Sequence, residues 1–513
     1  MLFWLILLGI LTYVVVQRSV VDITRTPVWL LWTVMMVPAF IWTAWTMVNG
    51  EADIPVVLLL VPLISCPVVY WLLVQWGRPK QNYSSDQPSK SPSTLEDKGT
   101  PDGSITAQQA SNVMMQLSTP SQPPSRPINK EDEEALKSCF PWAVYYLRNI
   151  EYRPQAVVCK GSLRTSPEEA YKTIWGNIQR LFEDRFLLVF QEGLDGKPFF
   201  TLVPNTLLAQ RGKPLRARPG VALALLAATL LTTTLAGVLL SGVAADDLQA
   251  SVSQLRLGLP YSLSLLSILA IHELSHYWAA RRYRIKATLP YFIPVPPATI
   301  FPFGTFGAFI QTRSPLPHRK ALFDIGISGP LAGLVVTIPI LMWGLAHSSL
   351  VPLTEESSIF NFESFSPTSS LLIALLSRLA LGSQLMTTSA LALHPVAIAG
   401  CLGMVITALN LIPVGQLDGG HMVHAMFGQR AGVVIGQVAR LLVLALAFVQ
   451  NELLIWAILL FFMPIIDEPA LNDVSQLDNK RDFLGLVTLA LLVMILLPTP
   501  QVIARLLFTV PAL

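Results

Sequence analysis

The residues best equipped for chemistry in this chain are His272, Glu273 and His276, in the run Ile271-His272-Glu273-Leu274-Ser275-His276 that ends an apolar stretch beginning near Leu257. If that stretch is helical, the two histidines fall four residues apart on one face and can grip a single divalent cation. Two neutral imidazoles leave zinc open for a third protein ligand and a water, and Glu273 stands where a base for that water is needed. That is the arrangement of a metalloprotease. On a solvated helix the same pattern could simply face water. Here Ser-Leu-Leu-Ser-Ile-Leu-Ala-Ile precedes the motif's first histidine and Tyr-Trp-Ala-Ala follows the second. Three ionisable groups therefore lie in or near a bilayer, where they are costly and usually functional.

A third ligand must come from elsewhere, and the best region is Asn410-Leu411-Ile412-Pro413-Val414-Gly415-Gln416-Leu417-Asp418-Gly419-Gly420-His421. The span before Asn410 runs toward the same side as the helix of His272, so Asp418 can arrive at a similar depth. Read alone, Asp418-Gly419-Gly420 is a turn signal. As a ligand, Asp418 would precede a turn that Gly419 and Gly420 allow and that points one side chain back into the protein. A carboxylate also suits the charge of a cation with two neutral imidazoles. His421 and His424 either extend the metal site or begin a polar helix facing water.

The elements that must position these residues are membrane spans. Of 513 residues, 52% are hydrophobic and 13% charged, and the mean hydropathy is +0.54, which places the chain in the membrane class. The four cysteines lack metal-ligand spacing, and a net charge of +3 gives no reason to expect a nucleic-acid partner. All seven histidines lie at or beyond His272. Apolar runs cover Leu2–Val16, Val28–Val48, Ile54–Trp76, Val221–Val243, Leu257–Ala280, Ala321–Ala346, Val396–Ile412, Gly432–Val449, Leu453–Ile466 and Phe483–Leu497. About ten spans are expected. Arg440, inside one of them, marks either an ion path or a snorkelling or paired arginine.

Basic residues sit on alternate loops, among them Arg78 and Lys80, Arg211 to Arg218, Arg281 to Lys286, and Arg319 with Lys320. The intervening loops carry Glu51, Asp246, Asp247, Glu355 and Glu356 instead. The positive-inside rule then puts the basic loops, the soluble domain and the histidine motif toward the cytoplasm. Four segments follow: a three-helix membrane region (1–77), a flexible Ser/Pro-rich linker (78–135), a small soluble α+β domain (136–210) and a membrane-embedded domain (220–513). Within the soluble domain, Gln155–Cys159, a helix entered through Ser166-Pro167-Glu168-Glu169, and strands at Phe186–Gln191 and Pro198–Val203 suggest β-α-β-β. The fold class expected is a polytopic α-helical membrane protein with a small cytoplasmic α+β domain.

The motifs resemble those of the site-2 protease family of intramembrane zinc metalloproteases, whose signatures are H-E-x-x-H and a distant N-x-x-P-x-x-x-x-D-G. The resemblance implies one catalytic Zn²⁺ held by His272, His276 and Asp418, with Glu273 as general base and Asn410 holding the peptide or its oxyanion. It also implies a re-entrant segment across Ala287–Thr312 and a helix at Ser328-Gly329-Pro330-Leu331-Ala332-Gly333. Val414-Gly415-Gln416-Leu417-Asp418-Gly419-Gly420-His421, with Gly161-Ser162-Leu163-Arg164 in the soluble domain, is similar to the ethylene-dependent gravitropism-deficient and yellow-green-like proteins and their cyanobacterial relatives. Those usually read G-N-L-R-G, where this chain has Ser162 and Thr165.

The function this implies is cleavage of peptide bonds in transmembrane segments of other proteins. The partners expected are a transmembrane substrate and the lipid bilayer; the sequence leaves the oligomeric state open. A metal-binding transporter or chaperone-like pseudoprotease is the alternative. Ala298–Gln311, with Pro296, Pro297 and Pro302 excluding regular helix and Phe306, Ala308 and Ile310 alternating, is expected to form an extended edge that captures substrate. With no targeting segment recognised at its start, the chain is expected in a bacterial, cyanobacterial, plasma or thylakoid membrane.

Overall fold

The structure is a computed structural model. It describes residues 26–49 and scattered positions among the first 76, then 128 and 130–508, except 154–155, 194–195, 206–218, 243–253, 298–301, 313, 355–356 and 359–360. Two units are distinct, 1–116 and 117–513. The first contains helix α1 (Val28–Asn49), with Pro38 inside it. The expected spans Leu2–Val16 and Ile54–Trp76 and the linker fall largely outside the described residues.

The second unit begins with α2 (Lys130–Ser138), β1 (Tyr145–Arg153), β2 (Ala156–Leu163), α3 (Pro167–Phe182), β3 (Phe186–Glu192) and β4 (Pro198–Pro204). The four strands form an antiparallel sheet of order β1-β2-β4-β3. Ser166 caps α3, its hydroxyl accepting from the Glu169 amide, and Pro167 sits in the first turn where a missing N–H costs nothing. Ala170, Ile174, Ile178 and Phe182 recur at helical spacing and are buried with Tyr145, Cys159, Phe200 and Leu202. Strand β1 adds to the three strands expected from sequence. Its register shifts between Leu147 and Asn149, a bulge at Arg148 that interrupts the two-residue alternation by which a strand is read.

Next come α4 (Pro219–Leu240), α5 (Leu255–Arg282), β5 (Tyr291–Pro294), β6 (Thr305–Phe309) and α6 (Arg319–Ala346). They are followed by β7 (Ser349–Pro352), α7 (Leu371–Leu381), β8 (Ser389–Ala392), α8 (Pro395–Leu411), α9 (Asp418–Ala447), α10 (Leu454–Phe462), α11 (Asn479–Leu496) and α12 (Gln501–Leu507). The chain is mostly helical, with three small sheets among the described residues. Five described helices are long and apolar enough to cross a membrane, or six if α11 and α12, bent by 89°, count as one broken span. The expected count of about ten includes stretches outside the described residues and runs that fold as shorter helices. At 1.5 Å per residue, α8 with its 17 residues reaches about 25 Å, short of the roughly 30 Å hydrocarbon layer. Gly432–Val449 is not a separate span but most of the second half of α9, which is broken at Gly428 with φ 85°.

The core of the membrane domain joins Leu265 and Leu269 of α5, Leu334 and Leu341 of α6, and Ile398 and Leu402 of α8. Small residues let the helices approach closely. A Cβ at Gly344 would lie 2.3 Å from the Ala397 nitrogen, and one at Gly258 2.0 Å from the Thr234 oxygen.

The four-stranded sheet is tied to the helical part by the loop between α10 and α11. The Phe190 amide, on the outer edge of β3, donates to Leu471 O (2.7 Å), and the Asp473 amide donates back to Phe190 O (2.9 Å). The same loop turns its other side to the start of α6, where Leu471 N donates to Leu316 O (2.8 Å) and Asn472 N to Pro317 O (3.0 Å). Pairing β3 in this way covers a sheet edge that would otherwise present unpaired backbone groups.

Candidate active site

Helix α5 carries His272, Glu273 and His276 in its second half, and all three are buried, at 4%, 7% and 6% exposure. The four-residue spacing does what helical geometry requires: the imidazole Nε2 atoms lie 3.2 Å apart. Asp418 opens α9 and points its carboxylate between them, with Oδ2 3.4 Å from His272 Nε2 and 3.2 Å from His276 Nε2. Bonds of about 2.0–2.2 Å to a tetrahedral zinc require ligand atoms roughly 3.3 Å apart. The three donors therefore fit such an ion without rearrangement. Among the described residues this is the one group of three or more potential ligands that converges in this way.

The second nitrogen of His276 is also assigned. Nδ1 lies 2.8 Å from the carbonyl of Ile325, and a carbonyl can only accept, so the proton sits on Nδ1 and the Nε2 lone pair is free for a metal. Asn410, in the last turn of α8, brings Nδ2 to 3.2 Å from His272 Nε2. The Glu273 carboxylate lies beside the backbone of Ile310, just beyond β6.

Glycines shape the space. Gly326, Gly329 and Gly333 lie along one side of α6, and a Cβ at Gly329 would sit 2.1 Å from His276 Nε2. At Gly333 it would lie 3.2 Å from His272 Nδ1, and at Gly326 3.0 Å from the backbone oxygen of Asp418. Only a helix without side chains on that face can lie against both imidazoles. These glycines are visible in the sequence as the Ser328–Gly333 stretch, but what they touch is 50 or more residues away and no local pattern reveals it.

Gly419 and Gly420 differ from the expected turn. Both lie within the first turn of α9 and neither has positive φ. Their need is for close approach: a Cβ would come within 1.9 Å of Leu411 O at Gly419 and 2.1 Å of Gly415 O at Gly420. The left-handed residue of the connector is Gly415, φ 52°.

His421 and His424 turn away from the three donors. His421 Nδ1 is 2.9 Å from Asp467 Oδ1, and His424 Nδ1 is 2.8 Å from Asp467 Oδ2. His424 Nε2 meets Asp473 Oδ2 at 3.0 Å, and Asp473 also meets Arg319 at 3.4 Å. Neither reading made from sequence, a larger metal site or a polar surface, describes this buried network. Arg440 likewise joins no ion path: its guanidinium donates to the carbonyls of Met463 (2.9 Å) and Pro464 (3.0 Å), the last orphan acceptors near the end of α10.

Strand β6 pairs with β5 in antiparallel register, Phe292 opposite Ala308. Thr305 to Phe309 are thus extended, as the alternation predicts, while residues 298–301 of the expected segment lie outside the described residues.

Fold and site together define a polytopic membrane protein with a buried pair of histidines and a carboxylate on two facing helices. The peptidase family M50 profile matches residues 260–450, and the EGY3 middle domain profile matches residues 134–211. The chain carries a peptidase family M50 domain, preceded by an EGY3 middle domain. It is similar to "Probable zinc metalloprotease EGY1, chloroplastic" of Oryza sativa subsp. japonica, 35% identical over 254 residues, 49% of this chain and 42% of the relative. The protein of the same name from Arabidopsis thaliana is 35% identical over 242 residues, 47% of this chain and 43% of the relative. "Probable zinc metalloprotease EGY2, chloroplastic" of Oryza sativa subsp. indica is 29% identical over 385 residues, 73% of this chain and 67% of the relative. The matches to the two EGY1 proteins thus span less than half of their length. No solved structure matches the chain.

These relatives are plant proteins named as chloroplastic, which corrects the bacterial membrane expected from sequence. That expectation rests on the opening residues alone, and those do not decide the compartment of a membrane protein whose remaining spans would look alike in either setting.

Proposed function

We propose that the chain is an intramembrane zinc metalloprotease of a chloroplast membrane, cutting peptide bonds in or at the edge of the transmembrane segments of other proteins. In this reading His272, His276 and Asp418 hold the ion, Glu273 is the general base, and Asn410 holds the substrate carbonyl. The chain then divides into a membrane region (1–77), a linker (78–135), a soluble domain (136–210) and the protease domain (220–513). The observation that carries the reading is the convergence of two buried imidazoles and a half-buried carboxylate with edges of 3.2–3.4 Å, beside a second carboxylate that is not among them.

When bound, zinc supplies Lewis acidity toward a peptide carbonyl and a water. Glu273 takes the proton of the attacking water and returns it to the leaving amine, and its burial keeps that transfer apart from bulk solvent. Strand β6 accepts an unwound stretch of substrate by strand addition, since a helical peptide shields its own backbone from attack. Asn410, a neutral donor on the last turn of α8, turns Nδ2 to the carbonyl oxygen as charge develops there. The cut fragment leaves on the side of the basic loops.

The test is Glu273→Gln in the purified full-length protein. Zinc content should stay near one per chain, while cleavage of a transmembrane peptide should fall by about 10²–10⁴-fold, the usual worth of a general base. Retained cleavage would overturn the mechanism, and loss of zinc would make Glu273 structural.

A further inference from the structure

The soluble sheet has two faces, and α3 covers only one. The other looks across a cavity of about 800 Å³ toward the break in α9 and the start of α6. Its walls carry six basic side chains, Arg148, Arg153, Lys160, Lys197, Arg319 and Arg430, against two acidic ones, Glu192 and Asp473; Lys160 is paired with Glu151 at 2.6 Å, and Arg430 donates to the Gly193 carbonyl. Asp473 is already engaged by His424 and Arg319. Among the described residues neither Arg148 nor Arg153 has an ion-pair partner. Like charges on the walls of one partly open cavity raise the local potential and favour entry of an anion.

Three local features build this wall. The bulge in β1 falls at Arg148, which removes that residue from the ladder and re-aims its side chain. The break in α9 places Gly428 under the Arg319 guanidinium, where a Cβ would come within 2.6 Å of its nitrogen, so the arginine head lies across the backbone at the edge of the cavity. Gly161 also lines the space, and has no room for a side chain because a Cβ would meet Tyr146 O at 2.2 Å.

We propose that this cavity is a binding site for a phosphate ester, held between the open face of the soluble sheet and the membrane domain. The predominance of arginine favours a multidentate oxyanion, since planar guanidinium groups donate in pairs to phosphate oxygens. The volume falls in the range of small-molecule sites rather than of polymer grooves. Phe199 and Phe427 add apolar surface beside the charges. Arg319 begins a membrane-crossing helix, so the cavity lies at the membrane boundary, where a phospholipid headgroup and a soluble phosphorylated compound present the same chemistry.

The experiment uses the full-length protein and its Arg148→Gln/Arg153→Gln variant, each reconstituted in phosphatidylcholine vesicles with or without a minority of phosphatidylglycerol. Inorganic pyrophosphate is then titrated, and tryptophan fluorescence and the melting temperature are followed. The site predicts saturable, salt-sensitive stabilisation of the wild type and binding weakened about tenfold or more in the double variant. Stabilisation by pyrophosphate in phosphatidylcholine alone identifies a soluble phosphate as the natural ligand, and stabilisation only by phosphatidylglycerol identifies a lipid headgroup. If the double variant does not fold, Lys197→Gln, on an exposed position of the same wall, takes its place. Equal responses of wild type and a folded variant, or no response to either probe, would overturn the proposal.

Discussion

At the scale of single residues, the site separates ligands from the groups that make room for them. Asp418→Ala should remove most of the zinc, because two imidazoles alone leave the ion short of its third protein ligand. His421→Ala, made beside it, should keep the metal, since its imidazole faces Asp467; the reverse pattern would move the ligand to His421. Gly329 supplies a test that uses no donor at all. A methyl there would occupy the space of the His276 imidazole, so Gly329→Ala should lose zinc and be destabilised by about 1–3 kcal/mol, the common cost of overpacking. Gly176→Ala is its control, in a helix with nothing within 4 Å, and should be neutral or stabilising by about 0.5–1 kcal/mol. Unchanged zinc in folded Gly329→Ala would show that the cradle tolerates a side chain. His272, Glu273 and His276 were legible in the sequence because one turn of helix relates them. The partners of Gly329 and His424 were not, because nothing local records a contact made across 43 or more residues.

Elements carry the parts of the site that no residue supplies alone. Strand β6 was legible from its prolines and alternation; β1 was not, because its bulge breaks the period on which such a reading depends. Prolines placed one at a time from Thr305 to Ile310 should abolish turnover while zinc stays bound, if β6 pairs with substrate through its backbone. Turnover unaffected throughout the scan would exclude that pairing. The start of α9 is pinned from behind by Asp467, whose carboxyl burial alone would raise; the hydrogen bonds from His421 and His424 overcome this and hold it below the usual 3.8. A carboxyl with a depressed folded-state pKa contributes stability that is complete above its unfolded pKa and is lost as pH falls through the folded one. Asp467→Asn should therefore cost about 3–5 kcal/mol near neutral pH, as breaking a buried pair does, with the gap to wild type narrowing below about pH 4. Parallel melting curves at pH 7 and at lower pH would show that the charge of Asp467 is not what matters.

For the molecule as a whole, the question is how a soluble domain with its own core is held over a membrane site. The strand and helix signals between Phe140 and Pro204 made the sheet with its helix legible, but not where it rests, because its docking is made by backbone groups that any sequence possesses. Those groups belong to one short segment, Leu471 to Asp473, which pairs with β3 on one side and with the entry to α6 on the other. Through Asp473 the segment reaches His424 and Arg319, and through His424 and Asp467 it reaches the half of α9 that begins with Asp418. Position of the soluble domain and position of the carboxylate are thus joined by a few hydrogen bonds. Asn472→Pro cuts this link: it removes the amide that donates to Pro317 O, and with the side chain it removes the bonds that Asn472 makes to Val474 and Ser475 inside the same segment. The direct loss is four hydrogen bonds, each worth about 0.5–1.5 kcal/mol, and it falls where the two halves meet. Hydrogen exchange should accelerate at the Phe190 amide, whose acceptor is Leu471 O, while the amides joining β2 to β4 remain protected by their own sheet. Zinc affinity should weaken along with it, because α9 loses part of its support. Faster exchange at Phe190 with zinc affinity unchanged would mean that the soluble domain rests on the protease domain without steadying Asp418.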